Sequence, residues 1–261
     1  MPTLTLFAKA HNKFRPDRFD NSLKNTLEGL RVQTKTCGAT ERGWIQVSIS
    51  GEDTNVASNY LDKKIGLCPV DLENIHRFST VKGRIMDLKE GGNEIQVDIG
   101  VFSPRIYDAR IPLSSLRGQL ADGRDISLKR IADLFGLCKE LPFTVKIDAI
   151  DVENGFVEAE IAEAQRRQYS EWAKSLLDRL IVIGSSLWEI ESAIETTGSK
   201  RDVVKVESIG GFEFAVVCKL GTDAVGLIPK IGKILRNASF VVNSPRRILG
   251  FFGDDLSFLI S

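Results

Sequence analysis

The chain has 261 residues, 35 basic and 35 acidic side chains for a formal net charge of zero, and a hydrophobic fraction of 43%. A length of this order allows roughly two or three compact units, large enough to bury a core without a covalent staple. Zero net charge excludes a sequence-independent polyanion sponge, because such affinity depends on phosphates neutralised by Lys and Arg. Any contact with nucleic acid must therefore use a local basic face. Cys37, Cys68, Cys138 and Cys218 are widely separated, with no Cys-x-x-Cys pair, so neither a zinc ribbon nor a thioredoxin-type centre is signalled. His11 and His76 are the only histidines, and neither has a partner at ligand spacing. The first residues lack the apolar stretch and cleavage site of a secretory signal. No run approaches the ~20 apolar residues of a membrane helix. The expectation is a cytoplasmic protein with no metal, no cofactor and no membrane partner.

The first 76 residues alternate strand and helix patterns. Leu4 and Leu6 alternate with threonines, as in a half-buried strand. After Pro16, Phe19, Leu23, Leu27 and Leu30 recur on one helical face. Two β-rich runs, 31–36 and 44–50, flank Gly43, and a second helix follows with Val56, Tyr60, Leu61 and Ile65 inward and Gly66 as its stop. The order β-α-β-β-α predicts a ferredoxin-like, split βαβ unit whose last strand would lie within 67–76.

Residues 77–162 are dense in strands. Val81, Gly83 and Ile85 alternate with Lys82, Arg84 and Met86, and a turn around Glu90 leads to a run with Ile95, Val97 and Ile99 inward. A third run, 109–113, places Ile111 and Leu113 inward and Arg110 outward. A short helix over 127–135 ends at Gly136, and two more strands form a hairpin around Glu153-Asn-Gly155. Three strands, a helix, then two strands is the chain order of an OB barrel.

Val-Lys-Gly83-Arg-Ile, Val97-Asp-Ile-Gly100 and Ala109-Arg-Ile-Pro-Leu-Ser-Ser-Leu116 together resemble the S1 version of the OB fold, as does Phe143-Thr-Val-Lys-Ile-Asp-Ala-Ile-Asp151. The resemblance implies single-stranded nucleic acid on the outer face of the first three strands. The aromatic and histidine usual in S1 strands two and three are replaced by Gln96 and Pro112.

A long helix is expected over 163–181, within a connecting segment 163–184, with Tyr169, Trp172, Ala173, Leu176, Leu177 and Leu180 as its apolar stripe. Residues 185–261 open on Ser186-Leu-Trp-Glu189, a capping box. Strands over 202–208 and 212–218, short helical segments and a strand over 239–243 follow, an αββα(α)β order. This order resembles a type II KH domain, although Ile228 and Pro229 stand where the first glycine of Gly-x-x-Gly belongs. The alternative is a separate α/β unit packed on the barrel. From about Thr80 onward, Leu177-Asp-Arg-Leu180, Thr197-Gly198 and Cys218-Lys-Leu-Gly-Thr-Asp-Ala-Val-Gly-Leu-Ile228 resemble an uncharacterised archaeal protein family.

No catalytic constellation stands out, so the chain is expected not to be an enzyme and to have no small-molecule substrate. The glycines of 221–232 lack the Gly-Lys-Ser/Thr ending of a P-loop and the Gly-x-Gly-x-x-Gly of a dinucleotide site. Asp87, Asp98 and Asp108 lack the register of a cation-binding loop. Cys218 beside Lys219 has the sequence context of a lowered thiol pKa, although a core cysteine is the commoner arrangement. The candidate RNA contacts are Lys82, Arg84, Gln96, Arg105 and Arg110 on the barrel, with Lys230 and Lys233 in the C-terminal loop. Two functions follow. One is a protein of archaeal translation or transcription that binds single-stranded or structured RNA through the S1-like barrel. The other is an adaptor docking on ribosome or RNA polymerase, its barrel no longer binding nucleic acid.

Overall fold

The computed structural model describes residues 2–10, 16–89 and 91–260; His11 and Glu90 lie outside the described residues. The chain divides into Met1–Val70 and Asp71–Ser261.

In the first unit, β1 (Thr3–Lys9), α1 (Pro16–Thr26), β2 (Val32–Ala39), β3 (Trp44–Gly51) and α2 (Thr54–Lys64) build an antiparallel sheet of order β1-β3-β2. After α2 the chain returns beside β1. Phe7 N–H donates to the Gly66 carbonyl at 2.9 Å, and Cys68 N–H to the Thr5 carbonyl at 2.9 Å. The expected fourth strand is thus a single bridge, Leu6 to Leu67, and Val70 at φ 65° takes the chain out of the extended region. On α2 the buried positions are Ala57 and Leu61, whereas Val56 and Tyr60, expected inward, are exposed. Apolar residues at 56, 57, 60 and 61 mark two adjacent stripes, and packing selects the one with the smaller Ala57 against the sheet.

In the second unit, after a two-residue strand β4 (Val70–Asp71) at the junction, come β5 (Thr80–Ile85), β6 (Glu94–Ser103), β7 (Tyr107–Pro112), α3 (Leu113–Leu120), α4 (Leu128–Phe135), β8 (Pro142–Asp151) and β9 (Phe156–Ile161). β5 pairs with β6 and β8, β6 with β7, β7 in parallel with β9, and β9 with β8. The circuit closes a five-stranded barrel in the order of an OB fold. Ile95, Val97, Ile111, Val145, Ile147 and Val157 fill it. A Cβ on Gly83 would stand 2.4 Å from Val97 Cγ1 and 2.9 Å from the Asp98 carbonyl oxygen, so glycine lets β5 approach β6 closely.

The Ser127 hydroxyl accepts from Arg130 N–H at the start of α4, and Gly136 ends it in the left-handed region at φ 69°. Helix α3 was not expected, yet Leu113, Leu116 and Leu120 are its buried face at helical spacing. Residues 152–155 close the β8–β9 hairpin as a four-residue loop, in which both Asn154 N–H and Nδ2 donate to Asp151 at 2.8 Å. Those two bonds hold the Asp151 carboxyl below its ordinary value.

The expected helix over 163–181 is corrected: α5 (Glu163–Lys174) stops early, and β10 (Arg179–Ile183) follows. Leu176 at φ 57° breaks the helix. Every residue of β10 is buried, so the strand has no polar face, and its apolar run merges with the helical stripe before it. α6 (Leu187–Thr196), β11 (Val203–Ser208), β12 (Glu213–Cys218), α7 (Ile228–Ile231), β13 (Ser239–Asn243) and α8 (Pro245–Phe252) complete the chain. The Ser186–Glu189 capping box forms at the start of α6.

The second sheet is antiparallel throughout, in the order β11-β12-β10-β13. With β10 at its head the expected αββα(α)β becomes βαββαβ, a split βαβ arrangement like that of the first unit. The KH alternative falls with it: α7 is a single turn, and Gly232 lies in the right-handed region at φ −63°. One face of this sheet, with Leu180, Val182, Phe214 and Val216, packs on Ile190, Ile194, Leu227 and Ile231. The other face contributes Ile181, Ile183 and Ala215 to the core that also holds the barrel and α5.

Candidate nucleic-acid interface

Alternation along β5 sends Lys82 and Arg84 off the barrel wall, but only Lys82 reaches water. Arg84 and Glu213 on β12 both have fully buried side chains. Arg84 Nη2 donates to Glu213 Oε2 at 2.8 Å, Nη1 lies 2.7 Å from Oε1, and Nη1 also donates to the Glu140 carbonyl at 3.1 Å. Arg84 is therefore removed from the set of RNA contacts. A period of two reports the direction in which a side chain leaves the barrel, but not that the second sheet covers that spot.

Lys82 lies opposite Thr144 and forms no ion pair among the described residues. Gln96 and Arg110 are direct cross-strand partners on β6 and β7. Gln96 Nε2 donates to Glu94 Oε1 at 2.8 Å, and Arg110 Nε stands 3.9 Å from the same oxygen. The Arg110 guanidinium also lies over the ring of Phe156, 4.3 Å from its centroid. Phe156 begins β9, the strand that pairs with β7 through Arg110 and Glu158. Strands β6, β7 and β9 thus gather Gln96, Arg110 and Phe156 on one stretch of wall.

Arg105 stands apart from that group. Its Nη2 donates to the carbonyls of Val152 and Glu153, and its Nε to the Tyr107 hydroxyl at 3.2 Å, so it clamps the β8–β9 loop. Lys230 and Lys233 are exposed near α7, and Lys230 Nζ lies 3.6 Å from Asp202. Ile231 packs in the layer on the sheet face turned away from the barrel, so the sheet separates these lysines from the wall.

The sequence signals Phe156 and Phe78 poorly, since a lone aromatic at a strand end reads as core. Phe78 is 60% exposed, and its N–H donates to the Ile147 carbonyl at 2.7 Å while its backbone sits at φ 68°. Arg77 lies 4.6 Å over its ring and Lys146 Nζ 5.8 Å. Lys146 is also paired with Glu160 at 2.8 Å. Aromatic faces are thus present at the barrel, on other positions than strand two.

Burial pushes the Cys218 thiol up to about 11, and nearby Asp178 adds to the shift, against the lowered value that Lys219 suggested. Cys138 is pushed up to about 12 by burial. Among the described residues no three His, Cys, Asp or Glu side chains gather into a metal-holding group. Among them also, no helix is long and apolar enough to cross a membrane.

Family models match nearly the whole length: the DUF2110 N-terminal domain over residues 7–69, the DUF2110 central domain over 77–173 and the DUF2110 C-terminal domain over 177–243. No curated protein matches the chain. Among solved structures, the intact alpha subunit of aIF2 from Pyrococcus abyssi is similar at 8% identity and a TM-score of 0.26, over 65% of this chain and 96% of that one.

Proposed function

The chain belongs to the DUF2110 family, and we propose that it is a non-enzymatic protein that binds single-stranded RNA on the barrel wall of β6, β7 and β9. The observation that carries this is the Arg110 guanidinium over Phe156 with Gln96 directly opposite, on the second and third strands of a closed OB-type barrel. That is the region OB folds use for oligonucleotides. Phe156 offers a ring for a base, and Arg110 and Lys82 offer charge to phosphates. The Arg110–Glu94 contact is half-exposed and long, and pairs of that kind contribute only about 0–1 kcal/mol, so phosphate displaces Glu94 at little cost.

Fluorescence anisotropy with a labelled uridine-rich oligonucleotide across a potassium chloride series tests the wall. Two phosphate contacts give a log–log slope of roughly 1.4 for a single strand. Lys82→Ala/Arg110→Ala removes that contribution to the slope, and Phe156→Leu weakens binding without changing it. Unchanged affinity and slope in both variants would rule out the wall.

A second reading, an adaptor for a protein assembly such as ribosome or RNA polymerase, draws on Trp188. It is 72% exposed on α6, beside the exposed Leu187. The wall variants separate the two, because an adaptor would not lose partner binding with Lys82 and Arg110.

A further inference from the structure

The second unit carries an arginine cluster away from the wall residues. Arg130 on α4 and Arg246 and Arg247 on α8 line one cleft with Asp133, Leu134, Gly250 and Phe251. Arg246 and Arg247 also line an adjoining cleft with Lys219, Thr222, Ser244 and the acids Asp178 and Asp223. The guanidiniums of Arg124 and Arg130 lie 5.5 and 5.0 Å from the ring centre of Phe251, and Arg124 Nη1 donates to the Phe251 carbonyl at 2.8 Å. Arg124, Arg130, Arg246 and Arg247 are all exposed, and none forms an ion pair among the described residues.

Two physical terms oppose this arrangement in the free protein. Like charges gathered without an ion-pair partner repel one another. Arg246 and Arg247 also sit in the first turn of α8, where the helix dipole disfavours cations. No side chain caps that turn, and the Ser244 hydroxyl donates to Asp178 Oδ1 at 2.8 Å. Acids line both clefts as well, Asp133 in the first and Asp178 and Asp223 in the second, where Asp178 also accepts from Ala224 N–H and Asp223 from Val225 N–H at 2.8 Å, but basic side chains outnumber them in each. An anion seated between the arginines reverses both terms.

We propose that these two adjoining clefts are a second contact for single-stranded RNA, in which Arg246 and Arg247 hold consecutive phosphates and Phe251 with Arg130 offers a stacking edge. This rests on the reading that the chain binds RNA and extends the footprint beyond the barrel. Guanidinium forks match phosphate oxygens in pairs. Two clefts in a row that share their arginines suit a repeating anion better than one isolated phosphate. Their concavity keeps a flat anionic membrane from the floor of either cleft.

The test uses the full chain in the same anisotropy assay, with Arg246→Ala/Arg247→Ala beside Lys82→Ala/Arg110→Ala. Arg130→Ala and Arg246→Lys/Arg247→Lys are added, with circular dichroism melts to establish that each variant is folded. The alanine pair on α8 lowers the salt slope by roughly 1.4 and weakens low-salt binding about tenfold or more. The lysine pair keeps the slope and loses part of the affinity, because charge remains while the paired fork is lost. Loss in the α8 variant with normal binding in the wall variant supports the clefts and removes the wall. Normal binding by a folded α8 variant overturns the proposal whether or not the wall variant is impaired. Retention of phosphatidylserine vesicles through these arginines, with no RNA bound by wild type, overturns the RNA assignment.

Discussion

Arg84 on β5 and Glu213 on β12 form a fully buried, two-pronged ion pair, with contacts of 2.8 and 2.7 Å that join the barrel to the second sheet. The surroundings are shaped for it. Glu213 Oε2 also accepts from Phe212 N–H at 3.2 Å, and a Cβ on Gly210 would stand 2.2 Å from the same oxygen. Arg84 is therefore a structural residue, although its place on β5 suggests an RNA contact.

Removing one partner leaves a charge buried without its counterpart. Glu213→Gln and Arg84→Met are each expected to destabilise the second unit by about 3–5 kcal/mol, whereas Arg84→Met/Glu213→Leu recovers most of that loss. Urea unfolding of the four proteins checks this. Because barrel and second sheet share one core, their unfolding should coincide whichever probe reports it.

Gly83→Ala places a methyl against Val97 and the Asp98 carbonyl at distances that real contacts do not reach. Backbone must shift, and overpacking of this kind costs about 1–3 kcal/mol. A lowered thermal midpoint relative to a control substitution at the exposed Thr80 is the expected result.

Cysteine chemistry should be sharply divided. Cys37 is exposed and reacts readily with a thiol reagent in the native protein, whereas Cys138 and Cys218 stay protonated and slow. Their raised pKa values also set an alkaline limit. Below about 9, where both folded and unfolded thiols are protonated, the stabilisation is whole. As pH rises from the ordinary thiol value of 9.0 toward about 11 and 12, the unfolded chain ionises first and stability falls. Cys218→Ala should flatten that decline in denaturant melts between pH 9 and 11.

Much of the fold was legible because alternation in the barrel strands and the helix signals at Gly136 and Ser186 are local. The elements that were missed obey non-local physics. Strand β10 is covered on both faces, so no polar residue interrupts Leu180-Ile-Val-Ile183 to mark it as a strand. The closing strand of the first unit is one bridge wide and leaves almost no pattern. The site was less legible than the fold. Gln96 and Arg110 could be paired from alternation, but Arg84 needed knowledge of β12. Phe156 became a ring for Arg110 only through the parallel pairing of β7 with β9. The arginines of α4 and α8 are 116 positions apart, counting from Arg130 to Arg246, and only tertiary packing brings them to one cleft.

The most direct test of RNA binding at the barrel is ultraviolet crosslinking of the full chain to a uridine-rich oligonucleotide, with the linked residues mapped by mass spectrometry. A ring that stacks on a base is well placed to form the covalent adduct, so nucleotide is expected on Phe156, lost in Phe156→Leu while binding persists at reduced strength. Crosslinks confined to Trp188, or absent from the residues of β6, β7 and β9, would contradict it.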